Sequence, residues 1–209
     1  EIPHVTQYNN ADITELEELR KRLKEEGSQK DIKVTFLPLL LKAVAAVLQE
    51  MPKFNSSLDH TGQNLVLKQY YHIGIAVDTA HGLTVPVVRD VDKKDVFELS
   101  KDLMALSEKA RNKKLKPEEL QGSTFTVSSL GGIGGTGFAP IVNPPEVAIL
   151  GVSKSEWHPV YDQTKKDFSP RYIMPFSISY DHRVIDGAAG ATFVERFSQI
   201  LKDTDNITG

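Results

Sequence analysis

An imidazole set among charges is the part of this sequence best suited to chemistry. The run Ser179-Tyr180-Asp181-His182-Arg183-Val184-Ile185-Asp186-Gly187 follows an apolar, strand-like stretch. Histidine has an unperturbed pKa of about 6.5, so it takes up and returns protons near neutral pH. Asp181 and Arg183 flank His182, Asp186 stands four residues on, and Gly187 permits a tight turn. Two readings are open. His182 transfers protons, or the segment is a salt-bridged loop in which Asp186 is the N-cap of a following helix. Asp186 is able to serve in both.

Ser128 and Ser129 close a second strand-like run, Ser123–Ser129. A hydroxyl there is either a polar edge group or a donor aimed at a developing oxyanion. The G-x-S-x-G elbow is absent, which disfavours a serine hydrolase. In the following loop Gly132, Gly134 and Gly137 satisfy G-x-G-x-x-G. A dinucleotide fold needs a helix directly afterwards, whose N-terminus meets the pyrophosphate. Pro140, Pro144 and Pro145 leave no room for one, so the loop is read as a flexible or closely packed turn. His4, His60, His72, His81 and His158 are scattered without paired-ligand spacing, so no metal is expected. His81 is assigned to a surface turn.

Composition narrows the classes further. A chain of 209 residues with 40% hydrophobic residues fits one large domain spanning 1–209. Net charge is −3, and the densest basic patch, Lys113, Lys114 and Lys116, reads as a solvated helix end; no nucleic-acid partner is expected. Cysteine is absent, which excludes disulfides, thiolate metal sites and an acyl-cysteine intermediate, and suits a cytosolic protein. Any thiol chemistry belongs to the substrates. The most apolar segment, Phe36 to Leu48, is interrupted by Lys42 and shorter than the roughly 20 residues a bilayer requires, so no membrane partner is expected. Glu at position 1 leads us to expect an excised domain with further modules upstream.

The elements that must position these groups follow from periodicity. Asp12 with Glu15 predicts a capped helix carrying Ile13, Leu16, Leu19 and Leu23 and stopped by Gly27. A second helix begins near Thr35, with Pro38 in its first turn and Pro52 after its end. Extended runs are predicted at Leu65–Tyr70, His72–Thr79 and Thr84–Arg89. Asp95 with Glu98 opens a third helix on the stripe Val96, Leu99, Leu103, Leu106 and Ala110. Strands Ser123–Ser129, Val147–Ser153 and Tyr172–Tyr180 come next, then a last helix through Ala191, Val194, Phe197 and Leu201. Strict βαβ alternation is absent. The expected architecture is α/β, a mixed sheet covered by helices.

Taken together, these motifs resemble a family. Asp181-His182-Arg183-x-x-Asp186-Gly187 is similar to the Asp-His-Arg-x-x-Asp-Gly signature of dihydrolipoamide acyltransferases of the 2-oxo-acid dehydrogenase complexes. Ile2-Pro3-His4-Val5-Thr6, Phe54-Asn55, Gly82–Val87, Phe125–Gly131 and Pro145–Gly151 resemble that family in the same order, so the likeness spans nearly the whole chain. The resemblance implies a chloramphenicol-acetyltransferase-like two-layer sandwich that forms trimers with active sites between subunits. It implies acyl transfer between coenzyme A and a dihydrolipoyl group carried on a separate domain, with both as substrates and no metal. His182 matches the catalytic base, Asp186 the carboxylate after it, and Ser128 the hydroxyl that stabilises the tetrahedral intermediate; Asp181, Arg183 and Gly187 are structural at the site. The loop Ser128–Thr136 is most similar to acetyltransferases of bacterial pyruvate dehydrogenase complexes, with branched-chain and succinyl transferases, and a non-catalytic scaffold, as alternatives. An antibiotic-modifying acetyltransferase of the same fold is disfavoured by Asp181 and Arg183. The implied partners are further copies in a trimer and a larger cage. Lipoyl domains, pyruvate dehydrogenase and dihydrolipoamide dehydrogenase would be reached through regions outside this chain. The implied location is the bacterial cytoplasm, or the mitochondrial matrix in a eukaryote. The polar ending Asp203–Gly209 departs from the apolar tail usual in the family, so either a truncated end or a weakened contact between trimers is expected.

Overall fold

The computed structural model of the chain describes residues 2–80 and 82–208; His81 lies outside them. β1 (His4–Asp12) leads into α1 (Thr14–Ser28) and α2 (Leu37–Glu50). β2 (Ser56–Leu58) and β3 (Leu65–Leu67) pair as a small ribbon. β4 (Ile73–Thr79), β5 (Gly82–Thr84) and β6 (Val87–Val88) precede α3 (Val96–Arg111). Then come β7 (Phe125–Ser129), β8 (Ala148–Val152), β9 (Glu156–Asp162), β10 (Asp167–Asp181), α4 (Gly187–Lys202) and the short α5 (Asp205–Thr208). The main sheet runs β1-β10-β8-β7-β4-β5, with β6 on β4 and β9 on β10. β4, β7 and β8 are mutually parallel and the other pairs antiparallel, which is the mixed sheet expected.

The two faces of the sheet differ, because side chains alternate along each strand. On β10, Met174, Phe176, Ile178 and Tyr180 point to the helices and are at most 2% exposed. There Phe54, Phe125, Phe176, Phe193 and Phe197 form the centre of the core. The opposite face is small and polar: Ser177 and Ser179 on β10, Gly151 on β8, Thr126 and Ser128 on β7. The segment joining β7 to β8 lies over it, and Ser177 Oγ donates to the Phe138 carbonyl at 2.6 Å. Gly151 has no side chain because Phe138, Pro140 and Ser177 occupy that space.

Most predicted elements are present with shifted ends. The Asp95–Glu98 capping box of α3 forms in both directions. Pro38 sits in the first turn of α2, which is buried on most sides. Asp12 is not the cap of α1: it ends β1, and its carboxylate accepts from Thr14 and Arg171. Glu15 also binds Arg171 instead of closing a box. The run Thr84–Arg89 splits into β5 and β6 around Pro86, whose nitrogen carries no hydrogen to donate. β9 was not expected. It forms a hairpin with β10 in which Pro159 and Pro170 stand opposite each other, flanked by Trp157–Tyr172 and Tyr161–Phe168.

Candidate active site

His182 lies immediately after the last residue of β10, on the turn that joins it to α4. The turn is fixed from several sides. His182 N–H donates to the Pro3 carbonyl at 2.9 Å, and the N–H groups of Val184 and Ile185 donate to the Asp181 carbonyl at 3.0 Å. The imidazole is exposed, its centroid 6.1 Å from the Tyr180 ring. Asp181 is 2% exposed and takes a bidentate contact from Arg183, Nε at 3.0 Å and Nη2 at 2.6 Å. Burial alone would raise the Asp181 carboxyl; the hydrogen bonds and charge of Arg183 outweigh it and hold the group below its ordinary value.

Asp186 is the N-cap of α4, accepting from Ala189 N–H at 2.8 Å, and that bond holds its carboxyl below the usual range. Arg183 pairs with Asp181 and not with Asp186. On the adjoining strand His4 pairs with Asp181; its Nε2 accepts from Val142 N–H, so Nδ1 carries the proton and donates to the Ile2 carbonyl.

Ser128 is half-buried on the polar face, between Ala76 of β4 and Gly151 of β8. Gly151 aligns in turn with Ser177 of β10, and His182 is five positions past Ser177. With about 3.3 Å per residue along a strand and about 4.8 Å between strands, Ser128 and His182 lie on the order of 15–20 Å apart. They sit at opposite ends of the sheet. One chain therefore cannot place both on the same reacting atom.

At the Ser128 end, a cavity of about 530 Å³ opens between α1, the 33–37 segment and the end of β8. Val34, Phe36, Leu40 and Met174 form its floor, and Ser129, Gly131 and Gly132 its sill towards β7. Arg20, Lys24, Lys33 and Lys154 stand around it. Arg20 is paired with Glu17 and Lys154 with Glu156, whereas Lys24 and Lys33 carry no ion pair among the described residues. An apolar trough with a cationic rim suits a long ligand with an anionic head. Sequence reasoning missed these residues, since they come from separate elements with no common spacing. Among the described residues no cluster of His, Asp or Glu is arranged to hold a metal ion, and no helix is long and apolar enough to cross a membrane.

Comparison with known proteins gives a consistent result. The family model for 2-oxoacid dehydrogenases acyltransferase (catalytic domain) matches residues 1–208. The chain is 54% identical over 202 residues to the dihydrolipoyllysine-residue acetyltransferase component of the pyruvate dehydrogenase complex of Pseudomonas aeruginosa, covering 97% of this chain and 37% of that protein. It is 56% identical over 202 residues to the same component of Azotobacter vinelandii, covering 97% and 31%. The chain thus spans about a third of the length of these relatives. A solved structure of the Azotobacter vinelandii dihydrolipoamide acetyltransferase, from a study of a serine, a histidine and an asparagine in its catalytic mechanism, superposes with a TM-score of 0.96 at 55% identity, covering 99% of this chain and 84% of that one. The cubic core of the pyruvate dehydrogenase multienzyme complex superposes equally well, with the same coverage. Chloramphenicol acetyltransferase shares the fold, with a TM-score of 0.62 at 16% identity over 96% of this chain and 89% of that one.

Proposed function

Since this chain belongs to the 2-oxoacid dehydrogenase acyltransferase family, we propose that it transfers an acetyl group between dihydrolipoamide and coenzyme A. The observation that carries this reading is His182, an exposed imidazole on a turn held by the Asp181–Arg183 pair. The matched relatives are pyruvate dehydrogenase components, which favours acetyl over branched-chain or succinyl groups. In the direction of acetyl-CoA synthesis, His182 takes the proton of the CoA thiol as its sulfur attacks the thioester carbonyl. A free thiol has a pKa of about 8.5, so this deprotonation is what makes it a nucleophile at neutral pH. The carbonyl oxygen becomes an oxyanion that a serine hydroxyl stabilises. The carbon–sulfur bond to lipoamide then breaks, and His182 returns the proton to the leaving thiolate. Thioester is exchanged for thioester, so no further reactant is consumed.

The separation of the two ends favours Ser128 of the partner subunit as that serine. We take the working unit to be a trimer within a larger cage. The lipoyl group would arrive on a separate domain, and the other enzymes of the complex would bind regions outside this chain. The cationic cavity beside Ser129 suits the phosphates of CoA, with the apolar trough below for its arm. Asp186 holds the turn. The Azotobacter relative has an asparagine at the same spacing after its histidine, and an amide caps a helix as a carboxylate does but cannot act as a base. The relatives are bacterial, which supports a cytoplasmic location.

The test is acetyl transfer from acetyl-CoA to dihydrolipoamide. His182→Ala and Ser128→Ala should each be nearly inactive alone. Co-refolded in equal amounts, they should recover about a quarter of the wild-type rate, because random pairing at a shared interface restores a complete site at that frequency. An active His182→Ala variant would remove the assigned base, and mixtures as inactive as their components would remove the shared site.

A further inference from the structure

Glu146 is a buried acid that the proposed reaction does not use. It is 3% exposed, at the start of the strand run that becomes β8. Its Oε1 accepts from Ser123 Oγ, which lies just before β7. Its Oε2 and the neighbouring Thr126 Oγ1 are both buried without a hydrogen-bond partner in the structure. The carboxyl forms no ion pair among the described residues, so burial this deep favours the neutral acid, whose Oε2 proton can be turned towards Thr126 Oγ1. Burial pushes the carboxyl up to about 7, against the pull of the Ser123 hydrogen bond and the nearby Thr126 hydroxyl.

The segment that Glu146 anchors leads directly to the imidazole. Glu146 N–H donates to the Asn143 carbonyl, and the carbonyl of Val147, the next residue, accepts from Asp181 N–H at 2.8 Å. Val142 N–H donates to His4, the strand partner of Asp181. Asp181 in turn holds Arg183 and precedes His182. The charged and titratable groups around Glu146 do not neutralise it. Asp59, His60, Asp181 and Arg183 line the cavity on one side, where Arg183 is committed to Asp181; Lys68 and Tyr70 line the cavity on the other.

We propose that Glu146 is a positioning residue for His182: as a neutral acid it clips the 143–147 segment to β7, and its ionisation loosens the turn that aims the imidazole. The proposal rests on the acetyl-transfer reading only for the identity of the reaction. Glutamine keeps the shape and cannot ionise, so it imitates the clipped state at every pH. Glu146→Gln should match the wild type at low pH and pull ahead of it severalfold as the pH climbs from about 6 to about 8.5, through the titration of the native acid. Glu146→Ala removes the clip, and should lower kcat by about ten- to a hundredfold at every pH with little change in KM. Taking the ratio of Gln variant to wild type cancels every pH dependence that the two share.

A second measurement is independent of turnover. The rate of ethoxycarbonylation of His182, followed by peptide mass spectrometry, should diverge between the wild type and Glu146→Gln above neutral pH. A rate ratio and a labelling ratio that both stay flat with pH would overturn the proposal, even if Glu146→Ala fails to fold. If the wild type transferred no acetyl at any pH, the acetyl-transfer reading would fall and the labelling ratio alone would decide the role of Glu146.

Discussion

Asp186 and Arg183 divide the task of holding the histidine turn, and each leaves a different signature when removed. Asp186 acts through Ala189 N–H at the start of α4, so Asp186→Asn should keep the cap and most of the activity, whereas Asp186→Ala should lower both Tm and kcat. Arg183 acts through Asp181. Without the guanidinium, a carboxylate that is 2% exposed loses its partner, so Arg183→Gln should lower the Tm at neutral pH. The sign with pH is fixed by the depressed Asp181 carboxyl. Its contribution is present above the unfolded value of 3.8 and is lost as the pH falls through the lower folded value. Thermal scans should therefore show the gap between wild type and Arg183→Gln closing on acidification; a gap that widens would mean Asp181 is not the partner that matters. The histidine turn was legible in the sequence because its residues are contiguous. Glu146 was not, since its role depends on Ser123 and Thr126 meeting it across the sheet.

At the scale of elements, the β7–β8 connection depends on a missing side chain. A Cβ on residue 151 would stand 2.6 Å from Ser177 Oγ, 3.0 Å from Phe138 Cζ and 3.1 Å from Pro140 Cδ. Gly151→Ala should lift the connection off the polar face, break the Ser177–Phe138 hydrogen bond and destabilise the fold by about 1–3 kcal/mol. Ser128 is the strand neighbour of Gly151, so turnover should fall as well. Unchanged Tm and kcat would show that the connection has slack. The same region shows why sequence patterns carry only part of a fold. Helical stripes such as Val96, Leu99 and Leu103 announce themselves locally, and the Asp95–Glu98 box marks its own start. β9 contains Pro159, a residue depleted from strands, and is stabilised by pairing that alternation alone does not reveal: Trp157 on Tyr172 and Tyr161 on Phe168 across the hairpin. The cap expected for the first helix failed for the converse reason, although the helix itself forms. Its apparent cap, Asp12, was taken by Arg171, a partner 159 positions away.

The molecule as a whole sets His182 and Ser128 at two ends of one sheet. β10 runs past Ser177, level with Ser128, and ends at the histidine turn, so the length of the strand itself keeps base and hydroxyl apart. An interface that joins the His182 end of one copy to the Ser128 end of the next pairs two different surfaces, and such head-to-tail contacts close into a ring when the rotation between copies closes. A ring of three then holds a complete site at each of its three contacts and none within a copy. Activity should in consequence belong to the assembly and be lost before the fold. On dilution, or in urea too weak to unfold the chain, specific activity should fall in step with the trimer fraction measured by sedimentation, while far-UV circular dichroism stays constant. Because each helix layer and its half of the core lie within one chain, loss of neighbours leaves the hydrophobic burial of α2, α4 and the sheet intact. A dissociated monomer with full specific activity would require Ser128 and His182 to meet inside one chain, against the register of β7, β8 and β10.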